Sequence, residues 1–268
     1  MTLTTAIDRP SKTLRALREQ GPLVQNITNF VAMDLAANTL LAVGASPAMV
    51  HAPQESAEFA AIADALTVNL GTMEAHWVES AEAAARAAIA ARRPWVLDPV
   101  AVGATGYRRS NAARLLACRP TVVRGNASEI MTLAGLSGAE GKGADSTVGS
   151  EAAVEAAQRL AQSSGAVVVV TGALDHVSDG MRQVACANSH KLMTRITASG
   201  CALTALTGAC LAVEEEPLVA ALHALTIYGV AAERAASRSR GPGSLRANLL
   251  DELYLLEDDD LDQAARLT

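Results

Sequence analysis

Aromatic residues make up only 3% of the 268-residue chain, so a large core must be built from aliphatic side chains and alanine. No basic block stands out. The 22 Lys and Arg against 28 Asp and Glu leave a net charge of −6, which argues against nucleic acid as a partner. The four cysteines, Cys118, Cys186, Cys201 and Cys210, lack zinc-binding spacing. Nothing marks a secreted protein, so reduced thiols in a cytoplasmic setting are expected. Residues 1–10 are polar, without the apolar stretch of a signal peptide. No apolar run is long enough to span a bilayer, so no membrane is expected as a partner. The Gly-x-x-x-x-Gly-Lys-Ser/Thr phosphate loop is missing, as is a Gly-x-Gly-x-x-Gly after a first strand, which excludes a P-loop enzyme and weakens a dinucleotide reading. The acidic runs at 214–216 and 257–260 read as solvated surface.

The chain does hold 50% hydrophobic residues and a mean hydropathy of +0.20, enough for a sizeable core. Strands are expected over 23–29, 46–50, 66–71, 95–100, 121–126 and 166–172, with a hairpin or pair of short strands at 175–179 and 182–187. Helices are expected over 11–20 (capped by Ser11 and stopped by Gly21-Pro22), 30–43, 55–65, 74–93, 110–118, 129–134, 150–163, 200–213, 217–237 and 243–256. The glycine-rich stretch 136–149 reads as a loop. Continuous apolar strands alternating with helices imply an α/β fold with a mainly parallel central sheet and helices on both faces. With no internal repeat and no linker, residues 1–268 are expected to form one domain.

The polar residues cluster by position. Asn26, Gly71, Asp98, Arg124-Gly125-Asn126 and Thr171-Gly172 fall at the C-terminal ends of expected strands, the edge at which an open parallel sheet binds ligands. Each taken alone is an ordinary strand exit or turn residue. A further stretch, residues 194–205, ends a polar run in Ala198-Ser199-Gly200-Cys201 and turns into an apolar helix. Small residues there let backbone N–H groups approach a ligand, and the helix start supplies unpaired donors and the positive end of a dipole. Cys201, in the first turn, is placed where a thiol can be pulled toward thiolate. An anion turn, a cation and carboxylates suit phosphoryl transfer: the turn at Gly200 for developing charge, Arg124 for phosphates, and Asp98 with Glu129 for magnesium, directly or through water. Lys142 is within reach of phosphates in the glycine-rich loop, but reads rather as a solvated lysine.

Several runs, in order, resemble the hydroxyethylthiazole kinase family. They are Pro22-Leu23-Val24-Gln25-Asn26-Ile27-Thr28-Asn29, Gly44-Ala45-Ser46-Pro47-Ala48-Met49, Asn69-Leu70-Gly71-Thr72, the stretch 97–105, Arg124-Gly125-Asn126-Ala127-Ser128-Glu129-Ile130, Lys142-Gly143-Ala144-Asp145-Ser146 and Val170-Thr171-Gly172. The likeness extends over residues 14–255 or so. It implies a ribokinase-like fold and ATP-dependent phosphorylation of 4-methyl-5-(2-hydroxyethyl)thiazole in thiamine salvage, with magnesium and a homotrimer whose active sites lie at subunit interfaces. By position, the resemblance implies Met49 at the thiazole and Asn26 near it. Arg124, Thr171 and Asn126 fall at ATP, and Asp98 and Glu129 at the metal. Ala198, Gly200 and Cys201 correspond to an anion hole that reads Gly-Thr-Gly-Cys in the family. Serine in place of threonine keeps a hydroxyl. Ala198 in place of glycine adds a methyl group, at a cost if the residue needs positive φ. Cys201 stands where related sugar and pyrimidine kinases carry an aspartate base, so a basic role needs a lowered pKa. Otherwise positioning and charge stabilisation do most of the work. Alternatives are a related kinase of another small alcohol such as a hydroxymethylpyrimidine, an ADP-forming dehydratase of the same fold, and a nucleotide-binding protein without catalysis.

Overall fold

A computed structural model describes residue 7, residues 9–136 and residues 150–268. The expected loop over 137–149, with Lys142, lies outside the described residues. Eight strands form one sheet: β1 (Leu23–Ile27), β2 (Ser46–Ala48), β3 (Ala65–Asn69), β4 (Trp95–Asp98), β5 (Val122–Asn126), β6 (Val167–Thr171), β7 (Asp175–Ser178) and β8 (Gln183–Cys186). Their order is β2-β1-β3-β4-β5-β6-β7-β8. Pairing is parallel from β2 through β6 and antiparallel for β6–β7 and β7–β8. The helices are α1 (Pro10–Gln20), α2 (Met33–Ala42), α3 (Ser56–Ile62), α4 (Ala75–Ala90), α5 (Gly106–Leu116), α6 (Ala127–Leu133), α7 (Ser150–Ser164), α8 (Ser199–Val213), α9 (Pro217–Ser237), α10 (Pro242–Leu255) and α11 (Asp258–Ala264). Lys191–Arg195 adds a 3-10 turn. The mainly parallel α/β sheet expected from the strand pattern is therefore present.

Successive side chains of a strand point to opposite faces, and both faces are apolar. Val24, Val96, Val122, Val167 and Val169 join Leu14, Leu40, Leu206, Leu222 and Leu245 in a core with α1, α2, α8, α9 and α10. Leu66, Val68, Leu97, Val123, Val168 and Val170 join Ala84, Ala88, Leu115, Ile130 and Leu160 in a second core with α3–α7. Alanine-rich helices replace aromatic bulk by close approach. In α8, where ten residues are buried, Gly208 sits so near β3 that a Cβ would lie 2.5 Å from Thr67 Cγ2. An all-round apolar helix of this kind is a central one.

Three expectations are corrected. Ser11 does not cap α1: Pro10 occupies the first turn, and the Ser11 hydroxyl donates to Asp262 Oδ2 at 2.7 Å while its N–H donates to Oδ1 at 3.0 Å. The run 257–260 is more than solvated surface, because it starts α11. Asp258 pairs with Arg15, and Asp260 accepts from Arg234 at 2.7 Å. Acidic groups in a first turn also suit the helix dipole. The helix expected from residue 30 begins at Met33, since the Asn29 side chain accepts the Val31 N–H at 3.1 Å and holds a turn. Among the described residues, no helix is long and apolar enough to cross a membrane.

Gly229 in the middle of α9 packs against the 186–190 segment, and a Cβ there would fall 2.1 Å from the Asn188 carbonyl oxygen. Backbone cannot yield as a side-chain tip can. Gly229→Ala is expected to cost about 3 kcal/mol, the upper part of the overpacking range. Urea denaturation checks it, and an unchanged midpoint would refute the close packing.

Candidate active site

The two-residue strand period decides what the site contains. Counting on from Val24, Ala65, Val96, Val122 and Val169, which face α8 and its neighbours, the same face carries Asn26, Thr67, Asn69, Asp98, Arg124 and Thr171. Five strands thus deliver polar groups to the face covered by α8, near their C-terminal ends.

Asp98 is fully buried at the centre. Its Oδ2 accepts from Asn69 Nδ2 at 2.7 Å and from Thr204 Oγ1 at 2.8 Å, and lies 3.8 Å from Arg124 Nη1. Its Oδ1 is buried without a hydrogen-bond partner among the described residues. Burial, with the Glu129 charge adding to it, raises this carboxyl to about 6 against the pull of Arg124, Thr204 and Asn69. Arg124 Nη2 donates to Thr171 Oγ1 at 2.8 Å. Its guanidinium lies over the backbone of Gly200, where a Cβ would be 2.7 Å from Nη1, so glycine is what allows this approach.

The turn before α8 leaves backbone donors without a side-chain cap. Ala198 is its N-cap residue at φ 65°, ψ 7°, and no side chain caps the helix. The N–H groups of the first turn therefore have no intrahelical or capping partner. A left-handed alanine costs about 1–2 kcal/mol, so the condition under which its methyl group is unfavourable is met. Cys201 Sγ accepts from Asn29 Nδ2 at 3.3 Å. Burial and then the Asp98 charge push the thiol up to about 11. The expected pull toward thiolate is thus reversed: desolvation and a nearby carboxylate outweigh the helix N-terminus.

Other expected residues divide by their partners. Asn26 is fully buried, donates to the Val24 carbonyl at 2.9 Å and accepts from Thr67 Oγ1 at 2.7 Å. Its side-chain amide thus makes contacts inside the sheet. Asn126 caps α6: its Oδ1 accepts from the Glu129 N–H at 3.0 Å and from Ser128 Oγ at 2.8 Å. Glu129 closes the capping box, taking the Asn126 N–H on Oε2 at 2.8 Å, and takes the Ala101 N–H on Oε1 at 2.8 Å. Met49 lies just past β2, half-buried against the α8-side core. Four strands lie between β2 and β6 in the sheet order, so Met49 and Thr171 stand far apart along the C-terminal edge of the parallel strands, with Asp98 between them. Gly71 gives Asn29 room, since a Cβ there would be 2.5 Å from Asn29 Nδ2.

Asn29, Asn69, Thr204 and Tyr228 are added by the fold. The Tyr228 hydroxyl is buried without a hydrogen-bond partner among the described residues, and burial raises its pKa against the pull of the Arg124 charge. Thr204 is one of two threonines in the apolar stretch that follows Gly200, and Asn29 and Asn69 fall in the runs that carry the family likeness. Phe30 and Trp77 stack at 4.7 Å and His51 and Trp77 at 4.6 Å, an aromatic group that residue spacing does not predict.

The family model described as the hydroxyethylthiazole kinase family matches residues 14–259. A hydroxyethylthiazole kinase of Cereibacter sphaeroides is 59% identical over 254 residues, covering 95% of this chain and 96% of that protein. One of Rhizobium johnstonii is 51% identical over 260 residues, covering 97% of each. The solved hydroxyethylthiazole kinase of Pyrococcus horikoshii OT3 superposes with a TM-score of 0.89 at 40% identity, covering 97% of this chain and 98% of that one. The pyridoxal kinase of Staphylococcus aureus, in complex with AMP-PCP, shares the ribokinase-like fold at 20% identity and a TM-score of 0.60, covering 79% of this chain and 87% of that one. By full-length similarity in both sequence and structure, the chain belongs to the hydroxyethylthiazole kinase family.

Proposed function

We infer that the chain is a kinase acting as one domain, which transfers the γ-phosphoryl group of ATP to the hydroxyl of 4-methyl-5-(2-hydroxyethyl)thiazole in thiamine salvage. The observation that carries the chemistry is the uncapped start of α8 with Arg124 lying over Gly200. A cation against the positive end of a helix is unfavourable until an anion joins them. A phosphate satisfies both at once, through the first-turn N–H groups and the guanidinium. Arg124 and Thr171 form the ATP end, and Asn126 supports it by holding α6. Met49, Ala198 and Asn29 form the alcohol end, where the Ala198 methyl group narrows the approach.

Magnesium fits these residues. Asp98 Oδ1 is a buried hard-oxygen acceptor without a protein partner. Glu129, whose two oxygens already accept backbone N–H groups, would reach the ion through water. Among the described residues no group of three or more His, Cys, Asp and Glu is placed to hold a metal. One or two carboxylates with the remaining ligands from phosphates and water is the usual arrangement for magnesium. When bound, the ion neutralises charge on the phosphates.

Cys201, protonated at neutral pH on the shift above, orients the alcohol rather than taking its proton. A loose transition state needs little early deprotonation, so rate comes from alignment and charge stabilisation at the α8 turn. A homotrimer with interfacial sites is supported by Phe30 and Val31, which are exposed directly after Asn29 at the crevice. Four free cysteines agree with a cytoplasmic location.

The decisive assay is ADP release that depends on both ATP and the thiazole alcohol. Release is expected with this alcohol. Turnover only with a hydroxymethylpyrimidine, or ATP binding without any turnover, would replace this reading. Gly200→Ala is expected to displace Arg124 and raise KM for ATP about tenfold, the loss of roughly one charge-assisted hydrogen bond. Steady-state kinetics checks it, and an unchanged KM for ATP would remove Arg124 from the nucleotide end. Iodoacetamide labelling of Cys201, followed by mass spectrometry, should be slow near neutrality and keep rising as the pH approaches about 11. A plateau near neutral pH would instead reveal a thiolate.

A further inference from the structure

Asp175 is the first residue of β7, buried beneath the corner formed by residues 172–174, all of which are exposed. Its Oδ1 accepts the Gly172 N–H at 2.8 Å. The corner needs such a tie, because the β6–β7 ladder stops at Val170↔His176 and the β5–β6 ladder at Asn126↔Thr171, so Gly172 to Leu174 lie beyond both. Thr171 precedes Gly172, and its hydroxyl is the acceptor that aims Arg124 Nη2. A buried carboxylate is costly. Burial raises Asp175 to about 6, while the Gly172 N–H and the Arg124 charge oppose that shift. Arg124 is therefore influenced by two buried carboxylates from different strands, Asp98 in β4 and Asp175 in β7.

We propose that Asp175 is a positioning residue for the nucleotide half of the site: by holding the Gly172 N–H it fixes Thr171, and through Thr171 it fixes the direction of the Arg124 guanidinium. The proposal rests on the reading of Arg124 as an ATP contact, and it assigns a function to a β-hairpin outside the crevice. An asparagine keeps the accepting oxygen, whereas an alanine does not.

The test compares Asp175→Ala and Asp175→Asn in the full chain. Titration calorimetry with ATP is combined with kcat and with KM for each substrate. Asp175→Ala is expected to weaken ATP binding and raise KM for ATP about tenfold, with KM for the alcohol within about twofold, and Asp175→Asn to restore most of the loss. A merely structural role would lower kcat through the active fraction and leave KM for ATP alone; that result, or ATP affinity unchanged in a folded alanine variant, overturns the proposal. If the alanine variant does not fold, Asp175→Glu carries the same expectation, since it keeps the charge but moves the oxygen by one methylene. A wild-type chain that binds no ATP would overturn the reading of Arg124 and this proposal with it. Wild-type binding beside an unaffected variant would overturn this proposal alone.

Discussion

The molecule is arranged around a guanidinium held at the wrong end of a helix. Arg124 faces the positive end of α8, across a glycine that permits contact. Left alone, that juxtaposition costs a fraction of a kcal/mol to about 1 kcal/mol, more when partly buried. Asp98, 3.8 Å away and fully buried, offsets it. Asp98 is in turn kept in place by Asn69 and Thr204, one from the neighbouring strand and one from the helix itself. The result is a balanced but unsaturated centre: first-turn N–H groups without a cap, Arg124 Nε without a partner and Asp98 Oδ1 without a partner.

The same burial that strengthens these interactions settles the character of Cys201. A helix N-terminus lowers a thiol pKa where solvent still reaches it. Here desolvation, followed by the Asp98 charge, raises the thiol to about 11 against the pull of Asn29, Arg124 and Asn69. Ala198 adds a second cost. Its left-handed backbone is retained with a methyl group present, so the turn keeps its geometry even where glycine would hold it without strain.

Much of the fold was legible because hydrophobic pattern acts locally. Continuous apolar runs such as 166–170 mark strands buried on both faces, and alanine-rich segments between them mark helices. The sheet order, the antiparallel hairpin's place at its edge and the start of α2 were beyond such reading, because pairing partners and side-chain turns such as that of Asn29 depend on distant segments. The acidic run at 257–260 shows the limit well. Its charges look solvated in isolation, and only the fold brings Arg15 and Arg234 to them.

The site divides in the same way. Residue type and strand-end position, with the family likeness, singled out Asp98, Arg124, Thr171 and the Ala198–Cys201 turn, because ordinary turn use accounts for any one of them but not for their gathering at one sheet edge. Which of these groups remain available was decided by tertiary contacts. Asn26 spends its amide inside the sheet, Asn126 and Glu129 spend oxygens on a capping box, and Asn29, Asn69 and Asp175 take up roles no local pattern announced. The sequence by itself determined the α/β class and the place of a small-residue turn before an apolar helix, since these follow from residue type and period. The tertiary structure alone decided the direction of each hydrogen bond and the upward shift of the Cys201 thiol, since both depend on burial and on neighbours brought together from across the chain.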